Sequence, residues 1–160
     1  NPGTGFLRPV SSTTLTNPAT AIRAITVGAY DSLTFSYADF SGRGPAQMYE
    51  GGGVPKPDLA APGVRVTAPA TGGGYAEFTG TSFATPFVTG SAALLMEWGI
   101  VRGNDLYMYG DKLKASLIKG AGENVFTTAS RAVTENSSKN TKYPNPVTGW
   151  GTLCLLDSIP

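Results

Sequence analysis

Gly80-Thr81-Ser82-Phe83-Ala84-Thr85-Pro86-Phe87-Val88-Thr89-Gly90 opens an apolar run that continues through Ala92-Ala93-Leu94-Leu95-Met96-Glu97-Trp98. The run predicts a helix that starts near Ser82 and ends at Gly99, with the glycine as its C-terminal stop. Small and apolar residues surround it on almost every side, so a buried central helix is expected rather than an amphipathic surface one. Pro86 is expected in the first turn, where a missing N–H costs little. A serine at such a helix start sits among unpaired backbone N–H groups and a partial positive charge of about half a unit. An oxyanion forming beside Ser82 would be stabilised by those donors, the Ser82 N–H included. Taken alone, Gly80-Thr81-Ser82 also fits a plain helix cap, a role that serine and threonine both favour.

Outward from this helix the chain alternates strands and turns. Residues 1–20 read as loop, with Pro2, Pro9 and Pro18 among many hydroxyl side chains. Residues 24–30, Ala-Ile-Thr-Val-Gly-Ala-Tyr, form a compact apolar strand of the kind covered on both faces in a parallel sheet. Residues 34–40 are a weaker strand candidate, and 41–57 a long Gly/Pro loop. Short strands are expected at 58–61, 64–68 and 75–79, the last two joined by a turn at Gly72-Gly73-Gly74. A second helix is expected at 111–119, stopped by Gly120, and a last strand at 150–156. Strands interleaved with helices point to an α/β layered fold.

The 160 residues suit one domain, which at that size buries about 70% of its extended-chain surface. Hydrophobic residues make up 41% and charged residues 14%, which argues against disorder. A net charge of +1 gives no field to recruit nucleic acid or an anionic membrane, so neither is expected as a partner. No apolar stretch is expected to approach the ~20 residues of a membrane span. Cys154, the single cysteine, lies between Leu153 and Leu155 and reads as a small buried hydrophobe. The start lacks both a signal-peptide pattern and a methionine, which suggests a processed chain or a fragment. The composition also contains no histidine. A serine nucleophile of the Ser–His–Asp kind therefore has no base within these residues.

The 80–90 string resembles the nucleophile signature of the subtilisin-like serine proteases at nearly every position. Ile25-Thr26-Val27-Gly28-Ala29 resembles the strand upstream of it in that family, and Lys56-Pro57-Asp58-Leu59-Ala60-Ala61-Pro62-Gly63 resembles the family's Pro-Asp-x-x-Ala-Pro-Gly element. The resemblance covers about residues 16–98 and continues plausibly over the helix at 111–120. It implies an α/β, three-layer subtilisin-like fold with a mostly parallel sheet, of which residues 1–160 form the C-terminal portion. It implies a serine endopeptidase acting on peptide or protein substrates through Ser82. The triad order of the family is Asp, His, Ser, so the Asp, the His and the oxyanion-hole Asn would come from an N-terminal segment of the same protease domain. The resemblance also places Thr16 and Asn17 at the S1 pocket and a cis bond between Asn17 and Pro18. No cofactor and no metal are expected. Phe87 stands where the family often has a histidine that is not the base, and is expected to pack.

Residues 143–151 and 25–30 also look like subtilases of anaerobic spore-forming bacteria, which implies a location outside the cell or at the spore or cell envelope. The alternative to an active peptidase is a pseudoprotease, a binding scaffold whose upstream segment has lost its His or Asp. A relative of the sedolisins is less compatible with Ala84-Thr85-Pro86. Gly72–Gly74 lacks the lysine of a phosphate loop, which argues against nucleotide. Asn136-Ser137-Ser138 is a formal glycosylation sequon, and Asp39, Asp58 and Asp105 lack calcium-loop spacing. By itself the 160-residue chain is expected to expose apolar surface and to need a partner segment.

Overall fold

The computed structural model describes residues 8–45, 54–122 and 143–160. The sequon at Asn136 falls outside them. Five strands, β1 (Val27–Asp31), β2 (Ser36–Tyr37), β3 (Leu59–Pro62), β4 (Val66–Pro69) and β5 (Tyr75–Phe78), precede the helices α1 (Thr81–Met96) and α2 (Gly110–Gly120). β1 is the centre of a three-stranded sheet, parallel to β3 and antiparallel to β2. β4 and β5 form a separate antiparallel hairpin closed by Gly72–Gly74. This is an α/β arrangement, with α1 packed against both β1 and β3.

The core follows from small side chains. Ala29, Leu59, Ala61, Ala84, Val88, Leu95, Met108 and Leu117 form its buried centre. In α1 the buried residues Ala84, Val88, Ser91 and Leu95 recur at helical spacing and make one stripe. The rest of that helix is open: Phe87 is 43% and Leu94 53% exposed. The expected all-round burial of α1 and the packed Phe87 are therefore corrected. Only one face of α1 meets β1 and β3, and Phe87 lies off it. Together with the turn that follows, Thr81–Val101 is long and apolar enough to cross a membrane by length and composition. That corrects the expectation of no such stretch, although here the stripe packs on a sheet.

Other departures have local causes. α1 starts at Thr81, so Pro86 lies within the helix beyond its first turn, and the Ser82 carbonyl has no N–H four residues on to accept. Instead of stopping at Gly99, the chain passes from Met96 into a π-helical turn, Glu97–Val101. Gly99 lies inside that turn because a Cβ there would meet Met108 Cβ at 2.6 Å. β1 begins at Val27, and the weak strand candidate at 34–40 shrinks to two residues. The tail at 150–156 is no continuous strand. Thr152 bridges Ala60 in parallel and Gly122 in antiparallel fashion, and Gly149 (φ 61°) and Gly151 (φ 126°) bend the chain around Trp150. Cys154 is half-buried, and its thiol donates to Asp157 Oδ2 at 3.2 Å, so it is not an apolar packing residue.

What brings the start of α1 onto the sheet is Gly63. Its N–H donates to Tyr30 O at 2.9 Å, and its carbonyl accepts from Gly80 N at 2.8 Å. A Cβ at residue 63 would sit 2.7 Å from Ala29 Cβ and 3.0 Å from Gly80 O. Gly63→Ala must push α1 off β1, at a cost of about 1–3 kcal/mol. The urea midpoint of unfolding is the measurement, and an unchanged midpoint would refute this packing account.

Candidate active site

Ser82 stands exposed in the first turn of α1, and its hydroxyl makes no hydrogen bond to a described residue. Gly80, the residue before the helix, has φ 157° and ψ 159°, a region that only glycine occupies readily. No side chain caps the helix, so neither Thr81 nor Ser82 serves as the cap that the short motif alone would have allowed. The Phe83 N–H donates to Gly80 O at 3.0 Å, while the N–H groups of Thr81 and Ser82 have no acceptor among the described residues and are left for an anionic group. Behind them, Phe83 stacks on Phe78 of β5 with ring centroids 4.9 Å apart, which fixes the helix start against the hairpin. Thr85 Oγ1 donates to Thr81 O at 3.0 Å along the same turn.

A cleft of about 630 Å³ opens beside Ser82. Thr81, Ser82 and Thr85 lie on it together with Thr16, Pro18 and Ala19, with residues 24–27 forming a further part of the wall. The structure therefore joins Thr16 and Ser82 on one cavity. Asn17 is not on that lining, and its Oδ1 accepts from Thr20 Oγ1 at 2.8 Å. The Asn17–Pro18 bond is cis as expected, and Lys56–Pro57 and Tyr143–Pro144 are cis too. Asp39 and Arg43 bring charge to the cleft lining, and Arg43 lies 5.0 Å from the centroid of the Tyr37 ring.

Beneath the wall lies a buried ionic cluster. Lys56 Nζ stands 2.7 Å from Asp58 Oδ2, and Lys114 Nζ 2.8 Å from Asp58 Oδ1. The Thr26 N–H donates to Asp58 Oδ2 at 2.7 Å. Burial pushes the Lys56 ammonium below its ordinary value, and the bond to Asp58 opposes that shift. The sequence hinted at half of this, because Lys56 and Asp58 are two apart in an extended segment and so share a side. It gave no sign of Lys114. Asp105, by contrast, pairs with Lys112 at the surface, which holds its carboxyl below the usual range. Among the described residues no group of three His, Cys, Asp or Glu is placed to hold a metal ion.

Ser82 therefore stands at an uncapped helix start on the lining of a cleft. The model of the Subtilase family matches residues 7–151. The chain belongs to the subtilase family. That match extends beyond residues 16–98 at both ends. The structure of the Clostridium perfringens CspB protease is similar with a TM-score of 0.81 and 39% identity, over 95% of this chain and 29% of that one. The prenylagaramide maturation protease PagA gives a TM-score of 0.65 and 30% identity, over 93% and 46%. Serine protease AprX of Bacillus subtilis (strain 168) is 34% identical over 106 residues, which are 54% of this chain and 23% of AprX. Subtilisin-like protease SBT3.3 of Arabidopsis thaliana is 36% identical over 99 residues, 58% of this chain and 12% of that protein. The chain thus spans a minor part of the length of these relatives. Its fold is the subtilisin-like α/β fold, and the clostridial match accords with the resemblance to subtilases of anaerobic spore formers.

Asp58 holds this site's foundation together, since it accepts from two ammonium groups and a backbone N–H. Asp58→Asn leaves the buried Lys56 and the half-buried Lys114 without a carboxylate and is expected to cost about 3–5 kcal/mol. Chemical denaturation reads this directly, and a loss under 1 kcal/mol, roughly the worth of an exposed pair, would contradict it.

Proposed function

We propose that this chain supplies the nucleophile and part of the oxyanion hole of a serine endopeptidase, with Asp, His and the oxyanion Asn supplied by an upstream segment of the same protease domain. The observation that carries the reading is Ser82, exposed in an uncapped first turn of α1 and lining a cleft of about 630 Å³. Ser82 Oγ attacks the scissile carbonyl carbon while its proton passes to the upstream histidine. The N–H of Ser82 donates to the oxyanion. Collapse of the tetrahedral adduct breaks the C–N bond, the histidine gives its proton to the leaving amine, and water then hydrolyses the Ser82 ester by the same steps reversed.

Thr16 and Pro18 on the cleft wall are the substrate-facing part of the preceding loop, and Asn17 supports that loop through Thr20. CspB, AprX and PagA are named as proteases, which supports peptide or protein as the substrate class. The exposed face of α1, with Phe87 and Leu94, is where the upstream segment would pack. No cofactor enters the reaction as proposed.

In the protease with its upstream segment present, Ser82→Ala is expected to lower peptide hydrolysis by several orders of magnitude while leaving peptide binding in place. Hydrolysis that survives Ser82→Ala would end this reading. A protein whose upstream segment lacks the His or the Asp, and which binds peptide without cleaving it, would be the scaffold instead.

A further inference from the structure

Lys114 exceeds what the buried carboxylate needs. Lys56 and Asp58 already make a balanced pair, 5% and 1% exposed, and the Thr26 N–H gives that carboxylate a further donor. A second ammonium in the same buried place carries its own desolvation cost. It also repels the first: besides burial, Lys114 contributes to holding Lys56 below its ordinary value. Charge balance therefore does not explain why α2 sends a lysine here.

What Lys114 gains is backbone. Its Nζ donates to Ile22 O at 2.8 Å and to Ala24 O at 3.0 Å. Lys56 Nζ donates to the same Ala24 O at 2.6 Å, so that one carbonyl takes two charged donors. Such charge-assisted bonds are about twice as strong as neutral ones. The segment they grip continues as Ile25 and Thr26, and Thr26 Oγ1 closes it with a 2.6 Å bond to Ala19 O. Ala19, Ala24, Ile25 and Thr26 are wall residues of the cleft that holds Ser82. Among the described residues, Lys114 Nζ is bound to Ile22 O, Ala24 O and Asp58 Oδ1, all in this one place.

We propose that Lys114 is a positioning residue for substrate: from α2 it holds the 19–26 wall of the cleft at the spacing an extended peptide requires. The proposal rests on the reading of that cleft as a peptide groove. Lys114 touches no substrate itself. Its effect reaches the peptide through Ala24 and Ile22, which sets it apart from the reacting groups.

The test uses the protease with its upstream segment present and Ser82→Ala, so that a dye-labelled casein peptide binds without turnover. Lys114→Met leaves the balanced Lys56–Asp58 pair intact and is expected to raise the peptide Kd about tenfold, the order expected for sub-ångström misplacement of a binding wall. Lys112→Met, on the same helix but paired with Asp105, is expected to leave Kd unchanged. With Ser82 restored, Lys114→Met should raise KM by a similar factor while kcat stays within about twofold. An unchanged Kd in a folded Lys114→Met protein overturns the proposal, whatever happens to its Tm. Should the Met variant fail to fold, Lys114→Gln, which also loses the charge, is judged by the same Kd criterion. Absence of hydrolysis in a parent whose Kd still responds to Lys114 would count against the peptidase reading and not against this one.

Discussion

The carboxylate of Asp58 is where the separate parts of this chain are tied together. Its side chain binds Lys56, Lys114 and the Thr26 N–H, while its own backbone N–H donates to Thr26 O at 2.8 Å and its carbonyl accepts from Trp150 N at 2.9 Å. One residue therefore joins the strand β3, the segment before β1, the helix α2 and the tail. Buried ion pairs add little net stability over apolar packing, because desolvation offsets their attraction. They are unforgiving about geometry, however, since removing the shared Asp58 leaves two ammonium groups uncompensated. A groove wall built on such a cluster has a fixed position.

The second constraint is steric. Ser82 reaches the cleft because Gly63 and Gly80 let the first turn of α1 come down onto β1 and β3, among alanines 29, 61 and 84. Small residues here exchange buried apolar area for close approach of backbones. As a result Thr81 and Ser82, whose N–H groups have no acceptor among the described residues, lie on the lining of the cleft. Phe83 on Phe78 supplies some of the missing apolar contact from the hairpin side.

Much of this was readable from the residues, and the exceptions share a cause. The helix at 81–96, the glycine hairpin and the cis Asn17–Pro18 bond follow from local patterns or from the family motif. The burial of α1 did not, because an apolar helix has the same sequence whether its second face is covered or, as with Phe87 and Leu94, left open. Gly99 looked like a stop, yet its lack of a Cβ serves contact with Met108, which no local pattern reveals. Lys114 meets Ile22 across 92 positions of sequence, and only the packing of α2 against the 22–24 segment creates that bond. That Thr16 and Ser82 line one cleft, and that Asn17 Oδ1 accepts from Thr20 Oγ1, depends on how the 16–20 turn folds and not on the local sequence pattern.

The central claim is that Ser82 is a nucleophile activated by a base from outside these 160 residues. Reaction with a fluorophosphonate, followed by mass spectrometry of the modified peptide, tests it most directly. The account predicts rapid phosphonylation at Ser82 when the Asp- and His-bearing segment is present, and negligible labelling of the 160-residue chain by itself. Labelling at another residue, or none in the folded protein with that segment and its triad residues intact, would contradict it.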